Sequence, residues 1–162
     1  MNREINGALY AKASDIEWMV DLSEQKRGDY QKYQPNFWKK NPDSFSIQSK
    51  YFEELLVDQN IIALVLADKS GFVIGRIINP PSVYDAGLTL MIDDFCVSDI
   101  GQNNSNPWFD HGQILLDEII KIAKSRKVEQ IVVVSGNHDQ NKTEFLKKNN
   151  LTIASLWLTK II

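Results

Sequence analysis

Between Ile61 and Val97 the chain carries three apolar runs that do not read as helix: "IIALVLAD" (61–68), "FVIGRIIN" (72–79) and "LTLMIDDFCV" (88–97). Their apolar residues run on instead of recurring every three or four positions, and β-branched residues are frequent, which suits a pleated surface. Asp68-Lys69-Ser70-Gly71 separates the first two and leaves room for a tight turn only, so they predict an antiparallel hairpin. Pro80-Pro81 ends the second run, since proline cannot donate to a ladder. A chain with this centre has to build a sheet and lay its helices against it.

The flanks supply the helices. Ile16, Met19, Val20 and Leu22 or Ser23 share one helical face behind a cap at Ser14 or Asp15, predicting a helix over about 15–27. Phe45, Phe52, Leu55 and Leu56 predict a second over about 43–57. The polar-aromatic "GDYQKYQPNFWKKNPD", broken by Pro35 and Pro42, joins the two. Leu115, Leu116, Ile119, Ile122 and Ala123 form the apolar face of a helix over 112–126. "ALYAKA" (8–13) reads as a first strand, "EQIVVVS" (129–135) as a buried one and "LTIASLWL" (151–158) as a final one. "DQNKTEFLKK" (139–148) reads as a short helix with charged outer positions. The order β-α-α-β-β-β-α-β-α-β predicts a mixed α/β domain spanning 1–162, its sheet covered by helices.

Composition narrows the function classes. The 162 residues carry a formal net charge of −3, which argues against nucleic acid as the main partner. One cysteine, Cys96, allows no intrachain disulfide, and with no apolar leader at the N-terminus the expected location is the cytoplasm. No apolar stretch reaches the roughly 18 residues that a membrane span needs. Two histidines and one cysteine offer no metal-ligand spacing.

The most unusual stretch is "IDDFCV" followed by "NPWFDHGQILLDEI": two acids inside a strand, then a loop ending on Gly112 at a helix start. This order of elements, with these motifs at its centre, resembles the GCN5-related N-acetyltransferase family over about 8–158. The resemblance implies a mostly antiparallel sheet with helices on both faces, splayed between the fourth and fifth strands to admit acetyl-CoA as cosubstrate. It also implies an acceptor amine on a small molecule or peptide, and no metal. The family's pyrophosphate loop, Arg/Gln-x-x-Gly-x-Gly/Ala, survives here only at Gly112. Pro107 stands at its first position and Asp110 at its other glycine. Leu146 stands where a tyrosine often serves as general acid, and Asn150 replaces a glycine.

Each motif has a chemical reading and a plainer one. A helix N-terminus presents free amides and a positive dipole end to an anion, which points to His111, Gly112, Gln113 and Ile114 for the pyrophosphate. Gly112 alone is also no more than a turn. Trp108 is read either as a cover for the cofactor or as an apolar anchor. A carboxylate near a thioester can attract an ammonium and take its proton, which points to Asp93 or Asp94. Strand alternation sends the two to opposite faces unless a bulge intervenes, and pairing with Arg76 is the structural alternative. The resemblance makes Asp93 the base and pairs the backbone of Phe95, Cys96 and Val97 with the pantetheine arm. Tyr84, in the loop "PPSVYDAG", either lines the acceptor pocket or donates a proton to the leaving thiolate, or is a surface aromatic. The resemblance places cofactor- or substrate-contacting groups at His138 and Asp139, which also suit a helix cap, and the aromatic stretch 29–38 reads as a roof over the acceptor site, a packing element or a homodimer surface. A non-catalytic acyl-CoA-binding or interaction module on the same fold is the rival reading.

Overall fold

The computed structural model describes residues 7–99 and 106–162. Five strands form one sheet in the order β1 (Ala8–Tyr10), β2 (Ile61–Leu66), β3 (Gly71–Ile78), β4 (Thr89–Val97) and β5 (Gln130–Val133). The first four are antiparallel neighbours, whereas β5 runs parallel to β4. A parallel pair needs a crossover, and α3 (His111–Ser125) lies in that connection. The other helices are α1 (Ile16–Tyr33), α2 (Ser44–Leu55) and α4 (Gln140–Lys148). This is the mixed, mostly antiparallel α/β sheet that the sequence predicts.

The two faces of the sheet hold separate cores. Ile62, Leu64 and Leu66 of β2 pack with Leu115, Leu116 and Ile119 of α3 and with Phe145 and Leu146 of α4. Ile61, Ala63 and Val65 point the other way, to Ile16, Met19 and Val20 of α1 and Phe52 of α2. Helices therefore cover both faces, and all six residues of β2 are buried. A strand covered on both sides needs no polar face, which is why the 61–97 runs are continuous and not alternating.

Four details differ from the sequence reading. α1 continues past Gly28 to Tyr33. A mid-helix glycine costs about 1 kcal/mol relative to alanine. The added turns pack Tyr30 and Tyr33 on the His138 ring, at centroid distances of 4.5 and 5.1 Å. Phe45 is 40% exposed, and Gln48 takes the inward position on α2. There Gln48 accepts a hydrogen bond from Arg27. β5 is short and only partly buried, because it is the last strand of the sheet. The expected strand over 151–158 does not form. Residues 151–162 carry no helix or ladder, and all but Leu151 are exposed. A strand exists only against a neighbour, and none of the described strands lies beyond β5.

Candidate functional site

The site is built on a fault in β4. Ile74 of β3 pairs with Asp94, but the next residue, Gly75, pairs with Ile92, so Asp93 is an extra residue without a partner. Such a bulge shifts every later side chain by one face. Leu90 and Ile92 point to the α3 side before it, and Phe95 and Val97 do so after it. Cys96 points to the α1 side. Simple alternation would separate the two aspartates. The bulge instead lets both line one cavity of about 350 Å³, together with Tyr30, Trp38, Trp108 and Lys142.

The two carboxyl groups differ. Asp93 is exposed, and its Oδ2 accepts a 2.7 Å hydrogen bond from Arg76 Nη2 in an ion pair. Asp94 is half-buried, and burial pushes its pKa above the usual carboxylate range. The Asp93 charge adds to that rise, while Arg27, Lys142 and Arg76 oppose it. A carboxylate that ionises with difficulty is the better proton acceptor near neutral pH, so chemistry favours Asp94 over its neighbour.

Beyond Ile92, β4 keeps β3 on one side but has no described strand on the β5 side. β5 pairs with Thr89–Ile92 only, and Val134 N–H closes the contact by donating to the Ile92 carbonyl at 3.0 Å. From there β4 runs on to Val97 while β5 has ended, so the sheet opens between them. Backbone groups on one edge alternate along a strand, and the edge facing the opening carries the polar groups of Phe95 and Val97. Those of Cys96 turn to β3, where it pairs with Phe72. Lys142 Nζ donates to the Phe95 carbonyl at 3.0 Å. Its ammonium lies 5.6 Å from the Phe95 ring centre and 5.3 Å from that of Trp108. Burial lowers the Lys142 pKa. Sequence reading left Lys142 among the charged outer positions of its helix. The signal for its burial is spacing: it lies three and four residues before Phe145 and Leu146, on the helix's apolar face.

The start of α3 is held by packing. Trp108 is 2% exposed and meets Phe95 edge-on at 4.8 Å and Phe145 at 5.6 Å. It belongs to the core and forms part of the cavity wall, as an anchor does. A Cβ on Gly112 would lie 2.7 Å from Trp108 Cε3 and 3.4 Å from Phe145 Cζ. Glycine is therefore required where the indole crosses the helix. Gly112→Ala is expected to destabilise the fold by about 1–3 kcal/mol, because overpacking outweighs alanine's helix propensity. Urea unfolding checks this, and an unchanged midpoint would contradict it.

Pro107 opens a 3-10 turn, Pro107–Phe109, where its missing N–H costs little, and the Asn106 side chain caps that turn by accepting from Trp108 N–H at 3.1 Å. Asp110 is exposed and its side chain does not cap α3. His111 Nδ1 is buried and has no hydrogen-bond partner among the described residues. Gln113 joins Asn149 and Asp117 through its side chain, and Ile114 is 36% exposed.

The remaining candidates fall on either side of the cavity wall. Tyr84 is 67% exposed and is not among the cavity residues. Cys96 is buried, which pushes its thiol up to about 11 and keeps it protonated and unreactive. Asp139 caps α4 by accepting from Lys142 N–H at 3.0 Å. Tyr30, on the added turns of α1, is a phenol that sequence reading had placed in a loop. Burial pushes its pKa up to about 12, and Gly136 supplies a backbone hydrogen bond. Among the described residues, no group of three His, Cys, Asp or Glu side chains is placed to hold a metal ion.

No family model matches the chain, and no curated protein does. Solved structures do. A tetramutant of the BH1408 protein from Bacillus halodurans superposes with a TM-score of 0.80 at 14% identity, covering 96% of this chain and 99% of that one. A protein described as a "predicted acetyltransferase with acetyl-CoA" from Clostridium acetobutylicum gives 0.68 at 17% identity, covering 95% and 94%. A protein described as a transcriptional regulator from Bacillus halodurans C-125 gives 0.69 at 18% identity, covering 96% and 98%. Likeness at such identities is likeness of fold. With its bulged fourth strand, its opening beside β5 and these neighbours, the chain has the fold of the GCN5-related N-acetyltransferases.

Proposed function

We propose that the protein is an acetyl-CoA-dependent N-acetyltransferase. It transfers acetyl to a primary amine of a small molecule or peptide, by direct attack within a ternary complex. The observation that carries this reading is the bulge at Asp93. It sets the Asp94 carboxyl, with its raised pKa, in the same cavity as the unpaired edge of β4. The Clostridium neighbour described with acetyl-CoA adds weight to the choice of cosubstrate.

The residues present fit that cosubstrate. The Phe95 and Val97 edge of β4 offers backbone groups to the amides of a pantetheine arm. The first amides of α3, at His111, Gly112, Gln113 and Ile114, suit a diphosphate, and the unpartnered His111 Nδ1 marks a polar vacancy beside them. Acetyl-CoA supplies an acyl group activated as a thioester. Asp94 takes a proton from the acceptor's ammonium and frees its lone pair for attack on the carbonyl carbon. As the C–S bond breaks, Tyr30, held protonated by burial, gives its proton to the departing thiolate and takes in its place the second proton that the acylated nitrogen must lose. Asp93, tied to Arg76, adds negative charge where a cationic acceptor enters. Trp108 and Lys142 shape the inner wall.

Two observations favour the rival, an acyl-CoA-binding module without turnover. Lys142 already donates to the Phe95 carbonyl, and Leu146 is a core residue where the family often keeps a tyrosine. Thermal shift tests the cofactor binding that both readings share. Acetyl-CoA at about 100 times its Kd stabilises by about 2.7 kcal/mol. For a chain of this length the melting temperature then rises by roughly 5–10 °C. No rise at millimolar acetyl-CoA or CoA would remove both readings. A rise without transfer to any amine would leave the module.

A further inference from the structure

The C-terminal segment is the largest unexplained feature. Ile153, Leu156, Trp157, Leu158, Ile161 and Ile162 are each at least 64% exposed, and Leu158 is 95% exposed. From Leu151 to Thr159 the segment has no charged residue. A soluble chain does not ordinarily leave so many large apolar side chains together in water.

The sheet ends in a matching vacancy. β5 is its last strand, and Gln130 and Val134 direct their amides at Leu88 and Ile92 on the β4 side. Alternation then turns the polar backbone groups of Ile131 and Val133 to the outer edge. Natural edge strands are blunted by lysine, proline or a bulge. The run Ile131–Val134 has no charge and no proline. The one chain thus holds an uncharged strand edge and an uncharged apolar segment of strand-forming sequence, and the two do not meet within it.

We infer that residues 152–158 of one copy add a strand to the β5 edge of a second copy, with the exchange reciprocated in a symmetric dimer. A second copy is the one partner certain to present both halves at equal concentration. Reciprocal exchange closes, so each edge and each segment is satisfied once and no open filament forms. Main-chain ladder bonds give the join its direction, and Trp157 supplies the largest apolar contact. This inference does not depend on acetyl transfer.

The test combines light scattering after size exclusion with hydrogen exchange, on the full chain from about 1 to 100 μM. The expected result is a dimer, with concentration-dependent protection of the amides of Ile131, Val133 and residues 152–158. Leu156→Asp with Trp157→Asp, at positions exposed in the single copy, is expected to leave the fold intact. It should weaken the dimer about thirtyfold or more and remove that protection together with it. Three results would overturn the inference. One is a monomer with an unprotected segment. Another is protection of the segment in a species that light scattering shows to be a monomer, which means the segment folds onto its own β5. The third is a dimer that survives the double substitution or protects other residues instead.

Discussion

Asp94→Asn is expected to lower kcat/KM for amine acetylation by about 10²–10⁴-fold, the usual contribution of a positioned general base. Asparagine keeps the size and the hydrogen-bonding groups but cannot accept the proton. Binding of acetyl-CoA should persist, because its proposed contacts are the β4 edge and the start of α3. Asp93→Asn is expected to cost much less, since Asp93 is exposed and already occupied by Arg76 at 2.7 Å. The same substitution at Asp94 should stabilise the protein at pH 7. Its folded pKa lies above the ordinary 3.8, so the carboxyl favours the fold while protonated. That contribution is complete below the ordinary value and is lost as pH rises through the folded one. Above the ordinary value the carboxyl therefore contributes less stability than its protonated form does, and Asp94→Asn removes that loss. Melting curves should show a gain that shrinks as the pH is lowered, on a scale of about 2–4 °C per kcal/mol. Equal activity losses in the two variants, or a lower melting temperature for Asp94→Asn, would count against this assignment.

Trp108→Ala is expected to cost about 3–5 kcal/mol, the range for removing a fully buried aromatic. Domains have only about 5–15 kcal/mol in total. The indole sits between Phe95 and Phe145 and lies against Gly112, so its loss opens the junction of β4, α3 and α4. Trp108→Phe keeps an aromatic face there and should lose less. A loss below about 1 kcal/mol for Trp108→Ala would mean that the residue is a peripheral cover after all. Chemical denaturation with an unchanged m-value is the measurement that decides it.

Much of the fold was legible in the sequence because its signals are local. The turn at 68–71, the stop at Pro80-Pro81 and the face of α3 follow from spacing and backbone chemistry. The site was less legible because its geometry depends on one register slip. The motif Asp93-Asp94 looks like two residues on opposite faces, and only pairing with Ile74 and Gly75 shows that Asp93 is the extra one. Lys142 was hidden for a related reason. A lysine on a polar helix reads as solvated until the opening of the sheet leaves the Phe95 carbonyl in need of a donor. Tyr30 was misplaced because Gly28 looked like the end of α1, and tertiary packing on His138 carried the helix past it. The final strand had the right residue types, but strand propensity does not supply the neighbour that a strand requires.

The central claim is that this cavity moves an acetyl group under the control of Asp94. Mass spectrometry of a panel of primary amines incubated with acetyl-CoA and the full chain, alongside Asp94→Asn, tests it most directly. An acetylated amine and one free CoA for each transfer are expected with the original chain. At least about a hundredfold less is expected with Asp94→Asn at the same acetyl-CoA occupancy. Transfer undiminished in Asp94→Asn, or no acetylated amine from a chain that binds acetyl-CoA, would contradict it.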